Sequence, residues 1–293
     1  MTNHNTSLRA DLLLLLVTLL AAGGWIFSRE AVASMPPLVF MALRFTAGGL
    51  ILAAFCTGAL RQLTGVQWRA ALLVGVIFGV AMIFWVLGLK LTKHVGVGAF
   101  LSCLGVVMVP FLSLLFGDRP GRYVYAALPF AVVGLACLSL DGEFHLGVAE
   151  VCFLLSALIL GFMFIVASKA ATHIGAMPLT SIQLLLTGLI TGAAALGFES
   201  WDLQQPPAIW GWFLASLLIA TCLRFVIMTH ALGLTPPSHS AIIMTLEPVW
   251  TAILAVVWLG ESMSQLQMLG CGLIFAAMLV NRWPALRQWL RRG

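Results

Sequence analysis

Three ionisable residues interrupt otherwise apolar stretches of this chain: Arg44, Arg224 and Glu247. A charge near the centre of a lipid bilayer costs on the order of 3 kcal/mol, so such residues pair, face water or meet a ligand. The arginines suit the carboxylate of a small zwitterion, and Glu247 suits its ammonium group. Glu247 also suits a proton, because burial favours the neutral form of a carboxyl group. The alternative interpretation is structural: the charges lock helices together.

Other candidate residues recur around these charges at helical spacing. Met244, Glu247 and Thr251 share one face of a helix, and so do Thr221 and Arg224. Aromatic stripes contact lipid or the core in many membrane helices, but flat rings in a cavity suit an apolar or aromatic ligand. The predicted substrate-binding set is Trp25, Arg44, Phe78, Met82, Trp85, Ser102, Phe164, Thr187, Thr221, Arg224, Met244, Glu247 and Thr251.

The composition places this chain in a membrane. It is 61% hydrophobic and only 9% charged over 293 residues, whereas soluble domains carry about 25% charged residues. The six cysteines and six histidines lack the spacing of metal sites, and no P-loop for ATP is present, so we expect no cofactor. An intramembrane enzyme would need a polar catalytic cluster, and a channel a selectivity filter; neither pattern is found. We therefore expect no enzyme.

The elements that must position these residues are membrane helices. About 20 apolar residues cross the hydrocarbon, and breaks at charges, proline and glycine predict an all-α protein with ten spans. The predicted spans are 11–33, 37–59, 68–90, 94–117, 121–140, 146–170, 177–198, 207–232, 236–259 and 264–282. With the N-terminus in the cytoplasm, ten lysines and arginines fall on the inner side and three on the outer side. Both termini are then cytoplasmic.

The chain also repeats itself. Leu91-Thr92 and Leu234-Thr235 are 143 residues apart, as are Gly117-Asp118 and Gly260-Glu261. This predicts two five-helix repeats, residues 1–142 and 143–293. Because five is odd, the second repeat enters the membrane from the opposite side. Inverted repeats place the substrate site near the midplane, at the interface between the halves.

These motifs resemble the EamA family of the drug/metabolite transporter superfamily. The match is strongest at residues 246–252 (Leu-Glu-Pro-Val-Trp-Thr-Ala), and Pro37-Leu38 to Arg44-Phe45 fits the second helix of the family. Within the family, the chain is most similar to the YddG-type exporters of aromatic and other amino acids. The chain departs from the family at Leu104-Gly105, where the second repeat has Glu247-Pro248.

The resemblance implies ten helices around a central cavity and export of small metabolites from a bacterial inner membrane. We expect a secondary transporter that exports amino acids, aromatic ones included, by alternating access. The alternatives left open are an exporter of lipophilic cations, drugs or other small metabolites and, from other classes, a channel or an intramembrane enzyme. The expected partners are the small-molecule substrate and membrane lipid, which the arginine-rich C-terminus meets, and no nucleic acid. We expect a monomer, with a dimer left open.

Overall fold

The computed structural model describes residues 4–91, 95–139, 147–259 and 264–290, and every regular element in these ranges is helical. The predicted repeat boundary at 142/143 and the motif Gly260-Glu261 lie outside them. The helices are α1 (His4–Val32), α2 (Pro37–Phe55), α3 (Thr57–Arg61), α4 (Gly65–Leu91), α5 (Val95–Leu114), α6 (Arg122–Ser139), α7 (Val148–Ala171), α8 (Ala176–Phe198), α9 (Pro207–Leu217), α10 (Arg224–Leu232), α11 (Pro237–Met244), α12 (Glu247–Leu259) and α13 (Gln265–Leu290).

Seven segments of the described ranges are long and apolar enough to cross a bilayer, which makes this a multi-pass membrane protein. They are Leu8–Val32, Pro37–Phe55, Gly65–Gly88, Val148–Ala171, Ala176–Phe198, Pro207–Leu232 and Pro237–Trp258. Three shorter apolar helices are Leu101–Leu114, Arg122–Cys137 and Gln265–Asn281. Each of the ten predicted spans overlaps one of these segments. Because three of the segments are shorter than a full membrane crossing, the count of ten crossings remains a prediction.

Helices α2 and α8 pack against each other in antiparallel fashion. At one end, the backbone N–H groups of Leu38 and Val39 donate to Glu199 Oε2 at 2.8 and 3.1 Å, so the residue after α8 caps the start of α2. In the middle, a Cβ at Gly188 would lie 2.9 Å from the Cα of Thr46. The absence of that side chain allows the two backbones to approach closely.

Helices α6 and α13 form a second antiparallel pair. A Cβ at Gly134, late in α6, would lie 2.9 Å from the carbonyl oxygen of Gly270, early in α13. Elsewhere α7 packs against α4 and α5, whereas α1 packs against α9, α10, α11 and α12.

Two of the long helical segments depart from α-helical geometry. Residues Leu218–Leu223, between α9 and α10, form a π-helical turn. Residues 245 and 246 break the helix between α11 and α12, where the spacing predicts one continuous helix over 236–259. Pro248 explains this break, because it has no N–H to donate to the carbonyl of Met244 and its ring crowds the preceding turn. Glu247 consequently lies in the first turn of α12 rather than in mid-helix.

Candidate functional site

The carboxylate of Glu247 is the meeting point of three helices. Trp25 Nε1 of α1 donates to Glu247 Oε1 at 3.0 Å, and Arg224 Nη2 of α10 donates to Glu247 Oε2 at 3.3 Å. The side chains of Arg224 and Glu247 are each 21% exposed, so their attraction is screened less than that of a surface pair. Each carboxylate oxygen thus has one donor, and the two donors come from different parts of the chain.

The two irregular stretches of helix position this pair. Glu247 follows the break, in the first turn of α12, where the helix dipole favours a negative charge. Arg224 follows the π-helical turn, and Thr221 within that turn donates from Oγ1 to the carbonyl of Ser216 at 3.0 Å. Irregular backbone at membrane depth is tolerated where it is buried in protein or lines a polar space.

Arg44 occupies a second polar site beside the first. Its Nη1 donates to Ser28 Oγ at 3.0 Å and to Ser216 Oγ at 3.1 Å. Its guanidinium carbon also lies 4.9 and 4.7 Å from the ring centres of Phe40 and Phe45. We call Ser28, Arg44 and Ser216 the Arg44 subsite. No carboxylate of the described residues pairs with Arg44 in this arrangement.

The charges of the site do not balance. Arg44 and Arg224 are close enough to repel each other electrostatically, and Glu247 is the one carboxylate that the structure places beside them among the described residues. The Nε atoms of both arginines are buried and make no hydrogen bond within the described ranges. The site therefore keeps one positive charge in excess and two unused N–H donors, which is an arrangement that attracts an anionic group.

Aromatic rings surround these charges. The rings of Trp25 and Trp85 are 5.5 Å apart, and Phe78 contacts Phe225 edge-on at 5.5 Å. Phe45 contacts both of these phenylalanines, at 5.8 and 6.4 Å. The predicted residues therefore belong to two aromatic groups, one with Trp25 and Trp85 and one with Phe78. The second group contacts both arginines, because Arg44 lies over Phe45 at 4.7 Å and Arg224 over Phe225 at 5.1 Å.

The other predicted substrate-binding residues differ in their surroundings. Thr251 Oγ1 donates to the Glu247 carbonyl at 3.0 Å, whereas Ser102 Oγ is buried and makes no hydrogen bond within the described residues. Thr187 instead donates to the carbonyl of Gln183 at 2.8 Å within α8. Three apolar candidates are buried in the same hydrophobic core: Met82, Phe164 and Met244.

Sequence reasoning missed the two serines that hold Arg44. Ser28 lies three residues after Trp25, so the helical spacing that selected Trp25 also places Ser28 on the same face. Ser216 was not identifiable in this way, because the π-helical turn between Ser216 and Arg224 changes the helical register.

The chain is similar to known transporters over most of its length. It matches the EamA-like transporter family over residues 8–140 and again over 147–283. The threonine/homoserine exporter RhtA of Escherichia coli K12 is 27% identical over 245 residues, which cover 81% of this chain and 79% of that protein. An uncharacterized transporter of Archaeoglobus fulgidus is 24% identical over 274 residues, covering 93% and 85%.

A solved crystal structure has the same fold. It superposes with a TM-score of 0.81 at 20% identity, covering 96% of this chain and 98% of the other. At 20% identity, this structural similarity shows that the two proteins share a fold and nothing more. The two family matches together cover most of the chain, and its long apolar helices carry a buried polar site, as a transporter requires. The chain belongs to the EamA-like transporter family.

Proposed function

We propose that this protein is a secondary transporter that exports amino acids, aromatic ones included, across a bacterial inner membrane. The observation that carries the proposal is the unbalanced, buried Arg44 subsite next to the Arg224–Glu247 pair. The family and its curated relatives support a transporter of small metabolites, and the RhtA proteins are named as amino-acid exporters.

The packing of the helices supports the proposal of ten crossings in two inverted repeats, residues 1–142 and 143–293. Under the sequence repeat, α2 is equivalent to α8 and α6 to α13, and each of these pairs is antiparallel. The contacts of α7 with α4 and α5 also have a counterpart in those of α1 with α9 to α12. A two-fold axis in the membrane plane accounts for both facts, and the two separate family matches agree with it.

The geometry favours one orientation of an amino acid in this site. The carboxylate of the ligand binds the guanidinium of Arg44, whose present partners are two neutral hydroxyl groups and two ring faces. The ammonium group lies towards Glu247, and the side chain of the ligand contacts the rings of Trp25, Trp85 and Phe78. Alternating access then rocks the two halves around this site, with both termini in the cytoplasm and the monomer as the working unit.

An exporter of lipophilic cations is the competing candidate, since aromatic rings and a carboxylate also suit a cation. The excess positive charge of the site opposes it, because Arg224 already neutralises Glu247. The RhtA proteins are named as exporters of threonine and homoserine. The first test should therefore include small polar amino acids together with aromatic ones.

Counterflow into proteoliposomes tests the proposal. Liposomes that contain purified protein and unlabelled phenylalanine, threonine or homoserine should accumulate the radiolabelled amino acid. Excess unlabelled amino acid should compete, whereas its amide, which lacks the carboxylate, should not. The variant Arg44→Gln should weaken apparent affinity about 10- to 100-fold, since a hydrogen bond to a charged group is worth about 1.5–3 kcal/mol. It should also lose the discrimination against the amide.

The matched control is Arg61→Gln, which removes an exposed arginine at the end of α3 and should leave uptake unchanged. Uptake of tetraphenylphosphonium without uptake of any amino acid would assign the cation exporter instead. Full discrimination against the amide in Arg44→Gln would remove Arg44 from the carboxylate subsite.

A further inference from the structure

A second buried polar group lies away from the central site, near the start of α1. His239 Nε2 of α11 lies 3.0 Å from Asp11 Oδ1 of α1, and His239 Nδ1 lies 3.1 Å from Asn281 Nδ2 of α13. The side chains of His239 and Asp11 are only 18% and 11% exposed. Three helices that are distant in sequence are thus joined by one imidazole ring.

Helix α1 contacts the α11–α12 segment through polar side chains at two depths along its axis. Trp25 lies 14 residues after Asp11 on α1, about 21 Å along the helix axis. Glu247 follows His239 by eight residues across the break between α11 and α12. The Trp25–Glu247 hydrogen bond therefore belongs to the substrate site, while the Asp11–His239 contact holds α1 to α11 at one end of the bundle.

The chemistry of the group suits reversible protonation. An imidazole is the side chain that ordinarily changes its charge between pH 5 and 8. With a neutral ring, Nε2–H donates to Asp11 and Nδ1 accepts from the Asn281 amide. With a protonated ring, both nitrogens donate, and a rotated Asn281 amide accepts from Nδ1 through its oxygen. No hydrogen bond to the ring is lost in either state.

Apart from Asp11, the described charged side chains on the neighbouring helices are exposed or make other contacts. Helix α11 packs against α1, α5, α6, α7 and α13. Arg9 on α1 is exposed, Arg122 on α6 donates to the neighbouring tyrosine hydroxyl, and Lys169 on α7 donates to a backbone carbonyl after α5. The side chain of Arg282, beside Asn281, lies outside the described residues. Within the described side chains, Asp11 is the charged group that faces the imidazole.

We propose that Asp11, His239 and Asn281 form a proton-binding site whose protonation strengthens the contact between α1 and α11 at this end of the bundle and so couples transport to a proton gradient. The carboxylate of Asp11 favours a proton on the imidazole, because the two opposite charges attract each other strongly away from water. A proton that arrives from water on Nδ1 makes the ring cationic, and its ion pair with Asp11 then holds α1 against α11. Loss of the proton weakens this contact. Glu247 is less suited to this role, since Arg224 and Trp25 already stabilise its ionised form.

Proton binding is testable without any substrate. The thermal midpoint of purified wild-type protein should rise as the pH is lowered from 8 towards 6, because the protonated ring forms an ion pair with Asp11. In His239→Gln, whose amide keeps donor and acceptor capacity, this pH dependence should be largely lost. The matched control is Ser238→Ala, which breaks the neighbouring 3.0 Å contact between Ser238 and Ser113 of α5 and carries no proton chemistry. It should keep the wild-type pH profile.

The coupling step rests on the proposed transport function, and two assays keep the two ideas apart. In His239→Gln, accumulation driven by a pH gradient should be lost while counterflow without a gradient persists. Asp11→Asn, which removes the charge but keeps an acceptor, should behave likewise and replaces His239→Gln if that variant fails to fold. Absence of counterflow in wild-type protein would defeat the proposed function alone, and the melting profiles would still decide on the proton site. Wild-type pH profiles and gradient-driven uptake in both variants would overturn the proton site.

Discussion

At the scale of single residues, Glu247 forms an ion pair with Arg224, and removing only one of the two partners is costly. Replacing Glu247 alone leaves Arg224 without its counter-ion, next to Arg44, which it repels. Loss of one partner of a buried pair commonly costs about 3–5 kcal/mol, whereas loss of both costs much less. The partial exposure of both side chains reduces these values here.

We therefore expect strong coupling between Arg224→Gln and Glu247→Gln. Each single variant should lower the thermal midpoint of the purified protein, and the double variant should lower it by clearly less than the sum. A coupling energy of about 1–3 kcal/mol is expected for residues in direct contact. The control cycle uses Arg122→Gln and Tyr123→Phe, an exposed hydrogen-bonded pair that should show almost no coupling. Additive effects at Arg224 and Glu247 would contradict the ion pair.

Much of the central site could be predicted at this scale, because intramembrane charges are rare and conspicuous. The positions of Arg44, Arg224 and Glu247 follow from hydropathy alone. The partner of each charge could not be predicted, since pairing depends on which helices meet. Asp11 and His239 escaped notice for a related reason. Each lies near a predicted end of its helix, where polar residues are ordinary, and the contact between them becomes visible only once α1 and α11 are packed together.

At the scale of elements, the helix spans were predictable and the irregular stretches were only partly so. Pro248 marks the break between α11 and α12, because proline in a helix interior removes a hydrogen bond. Pro110 and Pro129 carry the same signal, yet α5 and α6 continue through them. The π-helical turn over Leu218–Leu223 contains neither proline nor glycine, so no residue type in it predicts the change of geometry.

The close crossing of α2 and α8 yields a prediction about two glycines of one helix. A methyl group at Gly188 meets the backbone of Thr46, whereas nothing lies within 4 Å of the corresponding position at Gly197. Gly188→Ala should thus destabilise the protein by about 1–3 kcal/mol through overpacking. Gly197→Ala should be neutral or slightly stabilising, since alanine favours helix. Thermal unfolding in detergent measures both, and equal midpoints for the two variants would contradict this crossing.

At the scale of the whole molecule, the proposed two-fold relationship has a topological consequence. An even number of crossings returns the C-terminus to the side of the N-terminus, and the bias of lysine and arginine places that side in the cytoplasm. The loop after α3 should lie on the same side, and the loop between α8 and α9 on the other.

Reporter fusions in bacterial cells test this topology. A reporter that is active only in the cytoplasm should work when fused after Arg61 or at the C-terminus. It should be inactive after Trp201, where a periplasmic reporter should be active instead. A cytoplasmic position for Trp201 would mean an even number of crossings before it instead of the proposed seven, and the inverted arrangement would then be wrong.

The cap that Glu199 places on α2 bears on how the protein is made. Glu199 comes 161 residues after Leu38, and a ribosome adds about 5–20 residues per second, so roughly 8–32 seconds separate the two during synthesis. Throughout that interval the first turn of α2 lacks its acceptor and must bond to water or lipid headgroups. The nascent first half therefore waits in the membrane with an uncapped helix. Any chaperone or insertase that acts on this protein therefore meets an uncapped start of α2 until α8 arrives.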